Sequence, residues 1–122
     1  AAMMSTPLQA RVKDFLDTLL AEIRPLPSER AHLDFSYRLN ADAFILQKHT
    51  RAKDTEILVA QPVLKVVHTE DTEGWLIYQL DTEGHWQPHL DMVFTTELSD
   101  VMAVARLTAG VTQHAGGLDM AV

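Results

Sequence analysis

The stretch Leu33-Asp34-Phe35-Ser36-Tyr37-Arg38-Leu39-Asn40-Ala41-Asp42-Ala43-Phe44-Ile45-Leu46 decides the fold. From Leu33 to Leu39, large apolar side chains alternate with Asp34, Ser36 and Arg38, the period of a half-buried strand with one wet face. Asn40-Ala41-Asp42 is turn chemistry, and Phe44 to Thr50 reads as the returning strand of an antiparallel hairpin. Pairing Phe35 with Leu46 and Tyr37 with Phe44 gathers four large side chains on one face, and a slip of one residue scatters them. The same register sets His32 opposite His49 on the other face.

Downstream the pattern continues as a meander. The run Ile57 to Thr69 contains Pro62, which cannot donate to a ladder and marks a strand start, a bulge or an edge; Val63 to Thr69 is the firmer strand. Glu70-Asp71-Thr72-Glu73-Gly74 reads as a hairpin loop ending in the residue best suited to positive φ, and Trp75 to Asp81 as the fourth strand. Opposing Leu64 to Leu80, Val66 to Tyr78 and His68 to Leu76 gives one core face and turns Val63, Val67, Trp75 and Ile77 to the other. Thr82-Glu83-Gly84 turns the chain again. His85-Trp86-Gln87-Pro88-His89 then continues as an edge segment that Pro88 keeps short.

Helices bracket the strands. Ser5 offers a capping hydroxyl and Pro7 suits a first helical turn, and Leu8, Val12, Phe15, Leu16, Leu19, Leu20 and Ile23 follow at three- and four-residue spacing. That helix must stop near Arg24, because Pro25 and Pro27 remove backbone donors and bias the residues before them away from helical angles. At the other end, Thr95 or Thr96 caps a second helix with Glu97 and Asp100 near its positive end and Leu98, Val101, Met102, Ala105 and Thr108 inward. Gly110 terminates it. The fold class is therefore α+β: an N-terminal helix, a four-stranded antiparallel β-meander with a short fifth edge segment, and a C-terminal helix. Residues 1–4 read as a vector remnant or disordered start, 5–111 as one domain, and 112–122 as a flexible tail.

Composition agrees with one core. A chain of 122 residues with 47% apolar and 22% charged side chains is globular in usage and too short for two independent cores. Cysteine is absent, which removes disulfides, thiolate metal sites and cysteine nucleophiles. No apolar run approaches a membrane span and no signal-peptide pattern opens the chain, so a cytoplasmic protein of bacterial type is the simplest reading. The formal charge of -7 repels a polyanion and argues against general nucleic-acid binding.

The order of these elements carries a resemblance. Arg24-Pro25, Leu33-Asp34-Phe35-Ser36-Tyr37-Arg38, Pro62-Val63-Leu64-Lys65, Gly74-Trp75-Leu76-Ile77-Tyr78 and Gly84-His85-Trp86 together are similar to an uncharacterised bacterial family of small domains of unknown function. The resemblance covers most of residues 8 to 109 and implies the topology alone, since that family has no activity to transfer.

Chemistry-bearing constellations are few. His85, His89 and Asp91 fall on one side of an extended segment, and imidazole with carboxylate suits zinc or another divalent ion. Four residues of strand, however, separate two Cβ atoms by roughly 13 Å, too far to share an ion unless Pro88 bends the chain. His32 and His49, if directly opposed, bring their Cβ atoms to about 5 Å, a compact weak metal or pH-sensitive pair, or simply polar residues on a solvated face. No Gly-x-Ser-x-Gly elbow, Walker loop or Gly-x-Gly-x-x-Gly occurs.

The apolar surplus of Val63, Val67, Trp75 and Ile77 on the second sheet face is the most suggestive feature. Either the helices cover opposite faces, or that face is buried against another subunit or a ligand. The leading expectation is a non-catalytic binding or assembly module, a homodimer or the holder of a protein partner, with no cofactor, no nucleic acid and no membrane. A small metal-dependent hydrolase using His32, His49, His85, His89 and Asp91 is the alternative. An immunity or inhibitor protein that caps a basic active site is a third reading.

Overall fold

The computed structural model describes residues 3–69 and 73–110. Helix α1 spans Thr6–Ile23; Ser5 caps it by accepting a hydrogen bond from the Leu8 amide at 3.3 Å, and Arg24 ends it with extended angles ahead of Pro25. Val12, Leu16, Leu19 and Ile23 form its buried stripe. The strands follow as β1 (Leu33–Leu39), β2 (Ala43–Arg51), β3 (Leu58–His68), β4 (Trp75–Leu80), β5 (Trp86–Pro88) and β6 (Phe94–Thr95), and α2 (Leu98–Ala109) closes the domain.

All pairings are antiparallel in the order β1-β2-β3-β4-β5, so the meander stands, with more strands than the four expected. The extra strand arises because β4 lends its far edge twice. Tyr78 to Leu80 pairs with β5, and Trp75 and Leu76 pair with β6. Between them, residues 89–93 bulge out and return, with the His89 amide donating to Ile77 O and the Ile77 amide donating to Val93 O, both at 2.9 Å.

Two registers differ from the sequence expectation, with unequal consequences. In β1–β2 the pairing is Tyr37 with Leu46 and Leu39 with Phe44, two residues away from the expected match. An even slip keeps every side chain on its face, so the predicted core face survives while the histidine pairing does not. In β3–β4 the pairing is Val66 with Ile77 and His68 with Trp75, one residue away. An odd slip inverts the faces of β4: Trp75 and Ile77 enter the core, at 3% and 0% exposure, and Leu76, Tyr78 and Leu80 turn outward.

Pro62 sits at the irregularity that sequence chemistry anticipates. Leu46 pairs with Leu64 but Gln47 pairs with Pro62, which leaves Val63 as the extra residue of a bulge and packs it against the core. Among the described residues, β3 from Leu58 to Val63 has β2 on one side and no strand on the other.

Both helices lie on the same sheet face. Phe15 of α1 meets Phe44 with ring centroids 6.1 Å apart, and Val101, Val104 and Ala105 of α2 join the same cluster as Phe44, Leu46, Leu64, Val66 and Ile77. Met4, which the sequence reading leaves outside the domain, is 2% exposed in this core, and its amide donates to Ala41 O. At α2 the capping position falls on Glu97, not on Thr95 or Thr96, and its side chain makes no capping bond; Thr95, two residues earlier, supplies the polar contacts instead. Its hydroxyl accepts from the Glu97 amide at 3.1 Å and donates to Asp100 at 2.6 Å. Gly110 ends α2 at φ 84°, as its position predicts. The tail expected at 112–122 lies outside the described residues.

Candidate interaction surface

With both helices on one side, strand alternation defines an open face on the other. Across its centre runs one row of directly opposed residues: Arg38 of β1, Ile45 of β2, Lys65 of β3, Tyr78 of β4 and Pro88 of β5. Val67 and Leu76 form the next rung beside Phe94, and Leu80 pairs with Trp86 on the far side.

Lys65 organises this row. Its ammonium stands 5.9 Å from the centre of the Tyr78 ring and 5.8 Å from that of Trp86, so two ring quadrupoles hold one cation. Its stem lies along the sheet, half-buried, while no carboxylate among the described residues pairs with it. Arg38, two strands away, is exposed and likewise has no ion-pair partner among the described residues.

The other end of the face is polar. Ser36 Oγ lies 2.6 Å from His49 Nε2, and Asp34 faces His49 across the strand pair. Asp34 is held by Arg24, whose Nε and Nη2 donate at 2.7 and 2.8 Å and keep its carboxyl below the usual range. Asp34, on the outward positions of the described strands, is thus already matched, whereas Arg38, Arg51 and Lys65 carry positive charge there. In a chain of net charge -7 this face is locally cationic.

The predicted metal residues do not converge. His32 lies beyond the Leu33–Thr50 pair, with Nδ1 3.3 Å from Arg51 Nη1, so it does not oppose His49, which faces Asp34. His85 is in the β4–β5 turn, with Nδ1 3.8 Å from Asp81 Oδ2 and 3.9 Å from Glu83 Oε1. Asp81 is occupied by backbone donors from His85 and Glu83, which hold its carboxyl low. His89 is buried and its Nδ1 accepts from the Asp91 amide at 3.1 Å; burial pushes its imidazole below its ordinary value. Among the described residues no three histidine or carboxylate groups cluster closely enough to hold a metal ion.

Of the four residues expected on the spare face, only Val67 is there. Val63 is turned to the core by the bulge, and Trp75 lies inside with its ring tilted at 59° to that of His68, centroids 5.1 Å apart. The residues missed are Arg38, Ile45, Lys65, Tyr78 and Trp86. A usable signal was the lysine in Val63-Leu64-Lys65-Val66, which marks the wet face of β3 and, across the ladder, of β4.

No helix of the described residues is long and apolar enough to cross a membrane. Fold and surface together define a one-layer helical cover on an antiparallel sheet whose opposite face, among the described residues, is open, basic and aromatic. The chain belongs to the domain-of-unknown-function family DUF3024, whose model matches residues 4–109 and so begins at the buried Met4. No curated protein and no solved structure is significantly similar to it.

Proposed function

We propose that this domain is a non-catalytic binding module whose recognition surface is the open face of the sheet. One observation carries the reading: Lys65 is fixed between Tyr78 and Trp86 at the centre of a face that neither helix covers. Half-buried aliphatic and aromatic side chains with a few unpaired charges are the composition of a protein-recognition patch, in which aromatic anchors and cations carry most of the energy. Of the five residues considered for metal chemistry only His89 and Asp91 share a loop, and no three of them gather, so a hydrolase reading gains no support among the described residues.

Site-specific photo-crosslinking in cells tests the proposal. A photoreactive phenylalanine analogue replaces Tyr78 in one variant and the exposed Asp14 of α1 in another. Discrete adducts from position 78 and none from position 14 are expected. Adducts from the helical face alone would overturn the assignment of the surface.

A further inference from the structure

We infer that the partner of the open face is an acidic polypeptide segment, carrying two carboxylates with an apolar side chain between them. This rests on the binding reading above and names its chemistry. Arg38, Ile45 and Lys65 are consecutive members of one cross-strand row, so the backbones that carry the two cations lie two strand spacings apart, about 10 Å, with the isoleucine between, and the Lys65 ammonium leans on toward Tyr78 and Trp86. Two acidic residues two turns apart on an α-helix, flanking an apolar group at i+3 or i+4, present the same charge-apolar-charge order as that row.

Charge decides between occupants. A second copy docked face to face by two-fold symmetry would set this row of cations against its equivalent, a like-charge contact that Asp34 and Asp81 do not relieve, being already engaged by Arg24 and by the amides of the β4–β5 turn. A single-stranded nucleic acid would find aromatic rings and cations here, but its phosphates continue past the patch. Beyond Tyr78 and Trp86 they meet Asp81 and Glu83 of the β4–β5 turn, in a chain that is acidic overall. A short acidic segment ends before that rim. Screening over about 8 Å at physiological salt then leaves the local cations to dominate the encounter.

The test pans a random 16-residue phage-displayed peptide library on the whole chain, with the Arg38→Glu/Lys65→Glu variant for counter-selection. Enriched peptides should carry paired acidic residues around an apolar one. Their synthetic forms should bind the variant roughly tenfold more weakly, as loss of two facing charges implies. The Arg38→Gln/Lys65→Met variant keeps the side-chain bulk and serves if the charge reversal does not fold. Enrichment of uncharged or basic peptides by the wild-type face, or binding that the variants leave unchanged, would overturn the acidic partner while sparing the binding reading. Tighter binding of a fifteen-residue oligothymidylate than of any selected peptide would overturn it in favour of nucleic acid. Absence of all enrichment would also overturn it, and the cross-linking at position 78 then decides separately whether the face binds anything.

Discussion

Arg106 near the end of α2 grips Glu22 near the end of α1 through two parallel hydrogen bonds, Nε to Oε2 at 2.7 Å and Nη2 to Oε1 at 2.9 Å. The two helices are thereby tied to each other over one face of the sheet. Both groups are more than a third exposed, so water screens the pair, and the bidentate geometry rather than burial gives it value. Arg106→Ala should destabilise the domain by about 1 kcal/mol, lowering the thermal midpoint by roughly 4 °C. Calorimetry of the variant and of Glu22→Gln should give similar losses, and a double variant no worse than either single one identifies the pair as the cause.

The two tryptophans should separate sharply. Trp75 is in the core against His68, and removing it opens a large buried cavity, which typically costs about 3 to 5 kcal/mol. Trp86 is half-buried on the open face, where its ring meets the Lys65 ammonium, so Trp86→Ala should cost less, about 1 kcal/mol. Urea denaturation midpoints measure both, and equal midpoints would contradict the assignment of the two sheet faces. In binding the order reverses: Trp86→Ala should abolish partner capture in the folded protein.

Much of this architecture is legible in the residues, and the part that is not has a physical cause. Alternation in Leu33 to Leu39, the Ser5 cap, the Pro25 stop and the Gly110 terminator each rest on a local rule, and each is where the rule puts it. The β1–β2 slip of two residues was invisible to alternation, which repeats every two. The β3–β4 slip of one residue was hidden differently. In Trp75-Leu76-Ile77-Tyr78-Gln79-Leu80 both faces are apolar, so burial alone cannot choose between Trp75 with Ile77 and Leu76 with Tyr78. The open face inherited that ambiguity, and with it the identity of the site. Strands β5 and β6, of three and two residues, are too short to carry a period at all.

Gly74 illustrates a correct residue with a different role. The left-handed turn position expected of it belongs to Glu73, at φ 49°, while Gly74 is where β6 crosses close by. A Cβ there would strike the Phe94 ring and stand 2.8 Å from the Thr95 carbonyl oxygen. Gly74→Ala should therefore cost about 2 kcal/mol or more by overpacking. Phe94→Ala in the same chain should return only part of the loss, because the ring can be removed and the backbone carbonyl cannot. Full recovery in chemical denaturation of the double variant would show that the ring alone sets the limit.

His89 makes stability depend on pH in a defined direction. Its folded pKa is lowered, first by burial, with the Asp91 charge opposing, and its Nδ1 accepts a hydrogen bond from the Asp91 amide, so the neutral ring carries its proton on Nε2. The unfolded chain takes up a proton near the ordinary imidazole value of about 6.5, whereas the folded chain resists until lower pH. Below 6.5 the unfolded state therefore binds more protons, and stability falls as pH drops from 7 toward the folded value, then levels off beneath it. His89→Gln keeps an acceptor for the Asp91 amide without a titrating group, and should flatten the unfolding free energy between pH 7 and 5.5. An unchanged slope, or an NMR titration placing the His89 midpoint at or above 6.5, would refute this origin of acid sensitivity.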